Sequence, residues 1–293
     1  MAEGRIIKAL SGFYYVQAGE SVFQCRGRGV FRNKKITPLV GDFVTFEPNE
    51  HNEGYITDIK QRENELVRPP IANINQAIIL SSAKEPDFST TLLDRFLVLI
   101  EAKGIRPVIF ITKIDTVKGE SSAKIEEFKK DYNNIGYEVE MVSSKYPEEI
   151  PELGHYFRDK VTVFAGQSGV GKSSLLNALN PSLTLKTGEI SSSLGRGKHT
   201  TRHVELIEVH GGLVADTPGF SSLDFGEIEL ERLSACFPEM RELQDQCKFR
   251  GCLHHKEPKC AVKNAVEIGK VPLYRYEHYL RFFEEIKTRK PRY

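Results

Sequence analysis

The sequence predicts a multidomain α/β protein in three parts: an N-terminal OB-like β-barrel, a central α/β domain with a parallel sheet, and a C-terminal helical domain. Three observations carry this. Short runs of alternating apolar residues crowd the N-terminal segment, strand-like and helix-like runs alternate from residue 76 to residue 216, and a cysteine–histidine cluster lies among helical segments after residue 224. A chain of 293 residues with 40% apolar content is long enough for two or three cores. The expected boundaries give residues 1–66, 67–223 and 224–293. A net charge of +1 excludes a globally basic nucleic-acid binder, so any such contact has to be local.

In the first part, residues 12–18, 21–25 and 42–46 alternate apolar and polar positions between turns rich in Gly, Asn and Pro. About five such strands suit a small Greek-key barrel, of which the OB fold is the best-known form. Arg26, Arg28, Arg32, Lys34 and Lys35 cluster around Gly27, Gly29 and Phe31. That loop can grip RNA phosphates and offer an aromatic for stacking, or it can be an ordinary solvated hairpin; spacing alone ranks the two equally. Cys25, in a strand-like run, and Cys236, in a helix-like one, read as small buried apolar residues.

The stretch 62–70 (RENELVRPP) reads as a linker. Residues 76–80 (QAIIL) follow as a candidate central strand, residues 92–101 as a helix with apolar periodicity, and residues 107–111 (PVIFI) as a second buried strand. That strand ends in Thr112, Lys113, Ile114 and Asp115, which fit the N/T-K-x-D pattern of a guanine reader. A carboxylate accepts from both N1–H and the exocyclic amine of guanine. Adenine offers no such donor pair and would leave a buried Asp unpaired. The pattern is short, and a strand ending in a polar turn would also account for it. Ser143, Ser144 and Lys145 follow the strand-like run 137–142 and match the S-A-K loop that flanks guanine, with Ser in place of Ala.

The most informative stretch comes next. Gly166, Gln167, Ser168, Gly169, Val170, Gly171, Lys172 and Ser173 fit G-x-x-x-x-G-K-S/T, after the apolar run 161–165 and before a helix start at Ser174. In that setting, backbone N–H groups and the helix N-terminus face the phosphates of a nucleoside triphosphate. Lys172 would reach the β- and γ-phosphates, and the Ser173 hydroxyl would bind Mg²⁺. Residues 212–215 lead into Asp216, Thr217, Pro218 and Gly219, a D-x-x-G switch. Asp216 would hold Mg²⁺ through water, and the Gly219 N–H would sense the γ-phosphate. A nucleotide kinase would share the phosphate loop but leave Asp115 and the Ser143, Ser144, Lys145 loop unexplained.

Beyond residue 224 the chain reads helical, at 229–233 and from 272 to 286. In the later helix Leu273, Tyr276, Leu280, Phe283 and Lys287 lie near one face, whose aromatics read as core. Between the helices, Cys247, Cys252, His254 and Cys260 supply three thiolates and one imidazole within fourteen residues, which suits a closed tetrahedral zinc site. His255 is an alternative ligand, and free or disulfide-bonded thiols are the reading without a metal. No signal peptide and no apolar run of membrane-spanning length is evident, and five cysteines is an odd number. A cytoplasmic protein without membrane contact is therefore expected. The basic tail 287–293 is a solvated end or an extra RNA contact, and the lack of a long heptad pattern makes a monomer the expectation.

The order of the motifs is unusual. An ordinary G domain runs phosphate loop, switch I, D-x-x-G, guanine reader, S-A-K; here the guanine reader and its companion loop come first. A circular permutation accounts for this without altering the packed sheet, if residues from about 146 to 160 join the old end to the old beginning. With its flanking parts, the whole chain resembles the RsgA/YjeQ-type circularly permuted GTPases, which depend on the small ribosomal subunit. The resemblance covers nearly all 293 residues and rests on the permuted motif order together with the C-terminal metal pattern. It implies GTP hydrolysis with Mg²⁺, an RNA-binding OB domain, and one structural zinc on Cys247, Cys252, His254 and Cys260. It also places the Mg²⁺-binding switch threonine in the His-Thr-Thr run, at Thr201, and points to His199 as the residue that positions the attacking water. The alternative is that His199 merely packs or contacts RNA in its basic loop. Phe220 stands where Ras-like proteins carry glutamine, so slow intrinsic hydrolysis is expected. The implied role is an assembly checkpoint: the GTP form binds rRNA of the immature small subunit near its decoding region, and subunit-stimulated hydrolysis releases it. An RNA-binding adaptor with structural GTP is the alternative, against which the retention of Lys172, Thr201 and Asp216 argues.

Overall fold

The computed structural model describes residues 1–29, 31, 36–145, 150–180, 204–216 and 223–289. Strands β1 (Ala2–Leu10), β2 (Phe13–Ala18), β3 (Ser21–Gly27), β4 (Phe43–Pro48) and β5 (Glu53–Ile59) close a barrel in the order β1-β2-β3-β5-β4-β1. β3 and β5 run parallel and the other neighbours antiparallel, the five-stranded OB arrangement. Ile6, Val16, Cys25, Val44, Phe46 and Ile56 fill the interior without exposure. The stretch that reads as a linker is instead partly an ordered hairpin of β6 (Glu65–Val67) and β7 (Pro70–Ala72). Arg62 anchors it, donating through Nε and Nη2 to the buried Asp42 carboxylate at 2.7 and 2.8 Å.

Through β1 the barrel strands continue into six further strands of the same sheet, in the order β10 (Glu138–Met141), β9 (Arg106–Thr112), β8 (Gln76–Ser82), β11 (Val161–Ala165), β13 (Gly212–Asp216), β12 (Glu205–Val209). The first five are parallel and β12 is antiparallel to β13. Ile79, Ile109 and Val163 share a core with residues of α1 (Thr90–Glu101) and α2 (Glu120–Ile135). Ile78, Phe110 and Phe164 pack on the other face with Leu175, Leu176 and Leu179 of α3 (Lys172–Leu179). Helices on both faces explain why these strands are apolar almost throughout.

The connection between β10 and β11 is the one the permutation requires. A 3₁₀ helix, Ile150–Tyr156, lies against the sheet with Ile150, Leu153, Tyr156 and Phe157 buried. Gln76, itself fully buried, donates to the Tyr156 carbonyl at 2.6 Å and to the Thr162 hydroxyl at 2.9 Å. β13 begins beside this connection at Gly212, where a Cβ would fall 1.8 Å from the Phe157 carbonyl oxygen. Only glycine lets the two backbones pass.

The C-terminal part contains α4 (Pro238–Arg241), α5 (Ala261–Glu267) and α6 (Leu273–Lys287) around its own core. Residues 229–233 do not form a regular helix. They give way to successive 3₁₀ turns at Leu230–Arg232 and Ser234–Cys236, whose folding back brings Leu233, Cys236 and Phe237 into that core. α6 buries a face rotated from the one its apolar spacing suggests: Phe283 is in the core and Tyr276 and Leu280 pack against it, but Arg275, Tyr279, Phe282 and Ile286 are also inside and Leu273 is 60% exposed. Charge pairing is the reason. Arg275 is fully buried and donates to Glu239 of α4 at 2.7 and 3.1 Å and to Asp94 of α1 at 2.5 Å. Asp94 also accepts the Tyr132 hydroxyl at 2.6 Å and meets His278 Nδ1 at 2.6 Å. This cluster fastens the C-terminal part to the central sheet. Arg275→Ala would leave Glu239 buried without a counter-charge and Asp94 with only His278 and the Tyr132 hydroxyl, so the expected loss of stability is about 3–5 kcal/mol. Denaturant unfolding measures it, and a loss below about 1 kcal/mol would refute the account.

Candidate nucleotide and metal sites

The carboxyl ends of β8, β9, β10, β11 and β13 gather on one edge of the sheet, where open parallel sheets place their ligands. From β11 the chain enters the phosphate loop at Gly166, with φ of 140° and room for no Cβ, since one would lie 2.4 Å from the Leu80 carbonyl oxygen of β8. Lys172 opens α3 and donates from Nζ to the carbonyls of Gly166 and Gln167 at 2.7 and 2.8 Å. Ser173 is buried in the first turn beside Ser174.

Thr112 at the end of β9 donates from Oγ1 to the Val170 carbonyl at 2.6 Å, which ties the turn at 112–115 to the glycine-rich loop after β11. Lys113 bonds through its ammonium to the Glu85 carbonyl. The turn around Glu85 is a part of the site that the sequence reading omits, although a Glu-Pro pair just past the central strand marks it. Ile114 and Asp115 form a 3₁₀ turn, Ile114–Thr116. The Ser143 hydroxyl donates to Asp115 Oδ1 at 2.6 Å, and Lys145 Nζ lies 2.6 Å from Oδ2. Those bonds, Lys145 first and Ser143 second, hold the Asp115 carboxyl below the usual carboxylate range. Asp115 is therefore ionised, and acceptor only, at neutral pH. Ser143 is buried, Ser144 exposed, and the Lys145 side chain 71% exposed. An ion pair with so exposed a lysine contributes at most about 1 kcal/mol, so a purine edge can displace the ammonium cheaply. Asp216 ends β13 on the same sheet edge. Gly219, His199 and Thr201 lie outside the described residues.

Burial lowers the Lys172 ammonium from 10.5 to about 8. Between those values the unfolded chain binds more protons than the folded one, so this group weakens the fold below pH 8 and ceases to do so as pH rises. Phosphates favour the charged form and raise its pKa again. Nucleotide binding should then take up a proton above about pH 8, with affinity falling as pH rises further. Calorimetry in buffers of different ionisation enthalpy at pH 7 and pH 9 tests this. Equal uptake at both would contradict it.

In the C-terminal part, one ligand atom from each of Cys247, Cys252, His254 and Cys260 lies within 4.8 Å of all the others. Zn–S bonds of about 2.3 Å in a tetrahedron put sulfurs about 3.8 Å apart. The Cys247 and Cys260 sulfurs are 4.0 Å apart, and His254 Nδ1 is 3.6 and 3.3 Å from them. Burial keeps the His254 imidazole neutral, the form that ligates. The loop is held by Glu257, which accepts the N–H of Leu253 and of His255 at 3.0 and 2.9 Å, and by Tyr276, whose hydroxyl donates to the His254 carbonyl at 2.7 Å. The donor set fits zinc. His255 is outside it, its ring packed on Phe283 at 4.8 Å and facing Glu284.

The N-terminal basic loop is only partly described. Phe31 is buried in the core and so is not available to stack on a base. Arg26 lies 4.7 Å over the Phe13 ring, and Arg28 pairs with Glu47 at 2.5 Å. Arg32, Lys34 and Lys35 fall outside the described residues.

A barrel of OB type, a permuted G-domain sheet and a Cys3His cluster together define a circularly permuted GTPase. The RsgA GTPase family model matches residues 59–226 and the RsgA N-terminal domain model residues 3–56. The chain belongs to the RsgA GTPase family and is a GTP-hydrolysing enzyme. It is 67% identical to small ribosomal subunit biogenesis GTPase RsgA 2 of Oceanobacillus iheyensis and 60% identical to the corresponding RsgA of Bacillus subtilis, in each case over the full length of both chains. The crystal structure of YloQ, described as a circularly permuted GTPase, covers all of this chain with 97% of its own at 56% identity and a TM-score of 0.87. YjeQ from Thermotoga maritima superposes with a TM-score of 0.88 at 36% identity over 99% of both chains.

Proposed function

We propose that this enzyme hydrolyses GTP as a late assembly factor of the small ribosomal subunit, acting as a cytoplasmic monomer that binds rRNA in its GTP state and leaves after subunit-stimulated hydrolysis. The observation that carries the nucleotide reading is the meeting of Asp115, Ser143 and the phosphate loop at the carboxyl ends of β9, β10 and β11 of one parallel sheet, joined across the intervening β8 by the Thr112 to Val170 bond. The relatives' names support the ribosomal role.

In this reading Asp115 reads guanine, the loop from Gly166 to Ser174 cradles the phosphates, and Gly219 contacts the γ-phosphate. Ser173, Thr201 and Asp216 would hold Mg²⁺, and the ion would neutralise charge developing on the phosphates. Lys172 supplies a positive charge to the same oxygens. His199 orients the attacking water, a task Phe220 cannot perform. Cys247, Cys252, His254 and Cys260 hold a structural zinc. The working division is 1–66 for RNA, 67–223 for nucleotide and 224–293 for the zinc-stabilised helical part.

The test is GTP turnover by the purified protein alone, with small subunits, and with large subunits as control. Strong stimulation by small subunits only is the expected result; none would remove the ribosomal reading. His199→Ala should abolish the stimulated rate and leave GTP affinity intact, and an unchanged rate would remove that assignment.

A further inference from the structure

β12 is the strand on which the barrel meets the nucleotide-binding sheet. β1 pairs with β4 as far as Arg5, passes a bulge between Ile6 and Lys8, and there pairs Lys8 with Glu205, the first residue of β12. The bulge lies in the β1–β2 ladder, which continues to Leu10, and beside it the other edge of β1 passes from β4 to β12. In the next ladder Glu205 stands opposite Asp216, and β13 in turn pairs with the phosphate-loop strand β11. A single backbone row thus runs from Lys8 through Glu205 to Asp216. The row is reinforced by charge. Lys8 Nζ lies 2.8 Å from the Glu205 carboxylate, with side chains 28% and 36% exposed. Lys8 and Glu205 are the register at which β1 and β12 join, so the junction is narrow. Barrel and sheet also share a hydrophobic core and the β6–β7 hairpin, and this row is where their backbone ladders join.

We infer that Glu205, held by Lys8, is a positioning residue that couples the barrel to the strand carrying Asp216, so that the nucleotide state and whatever engages the barrel bias the same strand. Such coupling is reciprocal: a barrel that alters the nucleotide site must also feel which nucleotide is bound. The inference rests on the proposed place of Asp216 beside Mg²⁺, and it needs no ribosome for its test.

Hydrogen exchange is measured on the intact protein with GDP and Mg²⁺ and with a non-hydrolysable GTP analogue and Mg²⁺. Wild type should show different protection of β1 amides in the two states. Glu205→Gln and Lys8→Met should each shrink that difference several-fold, and Lys8→Glu combined with Glu205→Lys should restore it. A purely structural role would instead raise β1 exchange equally in both states. No difference in wild type, or a full difference in both single variants, overturns the inference. Asp216→Ala separates the two ideas. If it leaves the Mg²⁺ dependence of nucleotide affinity unchanged, the site reading and the inference fall together. If it removes that dependence while the Lys8 and Glu205 variants keep the full difference, the inference falls alone.

Discussion

Removing zinc from the metal-loaded protein with a strong chelator is expected to open the loop 247–260 and lower the melting temperature of the C-terminal part by about 10 °C or more. Apparent binding energies of structural zinc are about 10–16 kcal/mol in small metal-dependent folds. The whole net stability of a domain is only about 5–15 kcal/mol. Loss of even ~2 kcal/mol corresponds to about 8–16 °C for a unit of roughly 60–100 residues. The rest of the part should not unfold outright, because Phe225, Phe237, Met240, Tyr279 and Phe282 form a core that needs no metal, and Arg275 anchors it to α1. Without metal the three thiols behave as small apolar groups, and burial pushes the Cys252 thiol up to about 12. Zinc must therefore expel thiol protons as it binds, and its apparent affinity should rise with pH. Calorimetry before and after chelation measures the shift, and Cys252→Ser should reproduce it. An unchanged melting curve after complete zinc removal would show that the cluster does not stabilise the fold through a metal.

The nucleotide loops are legible in the sequence because each is a short contiguous run whose chemistry depends on its own residues: glycines and Lys172 at 166–172, a carboxylate at 115, a small polar turn at 143–145. The permutation is legible for the same reason, since motif order is a property of the string. The Cys3His spacing likewise contains its whole ligand set, and only the choice between His254 and His255 needed coordinates. What the sequence hides are relations between distant residues. Arg275 sits on an amphipathic helix where apolar spacing favours a face containing Leu273, yet Asp94, 181 positions earlier in the chain, draws it inward. Nothing in either local pattern marks that partner. Phe31 fails in the opposite sense. An aromatic among arginines reads as a stacking platform, but the small barrel needs its volume for the core. The Lys8, Glu205 and Asp216 row depends on strand register across two domains, which no local pattern fixes.

Asp115→Asn is expected to lower GTP affinity about a thousandfold and to make xanthosine triphosphate the preferred nucleotide. The carboxylate has acceptors only, matched to the two donors on the guanine edge. An asparagine keeps one acceptor for N1–H but turns an amide N–H₂ toward the exocyclic amine, which leaves two donors facing each other. Each buried polar group so left costs about 1–3 kcal/mol, and sites built on such pairing reject the wrong partner by about 10⁴–10⁵. Xanthine carries an oxygen in place of that amine, so the same asparagine pairs with it at both positions. The loss should be confined to the base. Thr112 ties its turn to Val170 independently of Asp115, so the phosphate loop keeps its shape. Ser143 can still donate to the asparagine oxygen as it does to Asp115 Oδ1. Lys145→Ala, by contrast, should change affinity little, because that ammonium is 71% exposed. Competition binding with GTP, GDP, xanthosine triphosphate, ATP and inorganic triphosphate separates these effects. GTP and GDP should weaken together while inorganic triphosphate is unaffected. A variant that still prefers guanine would mean that Asp115 does not read the base, and would move the search for the reader to the backbone amides of residues 143–145.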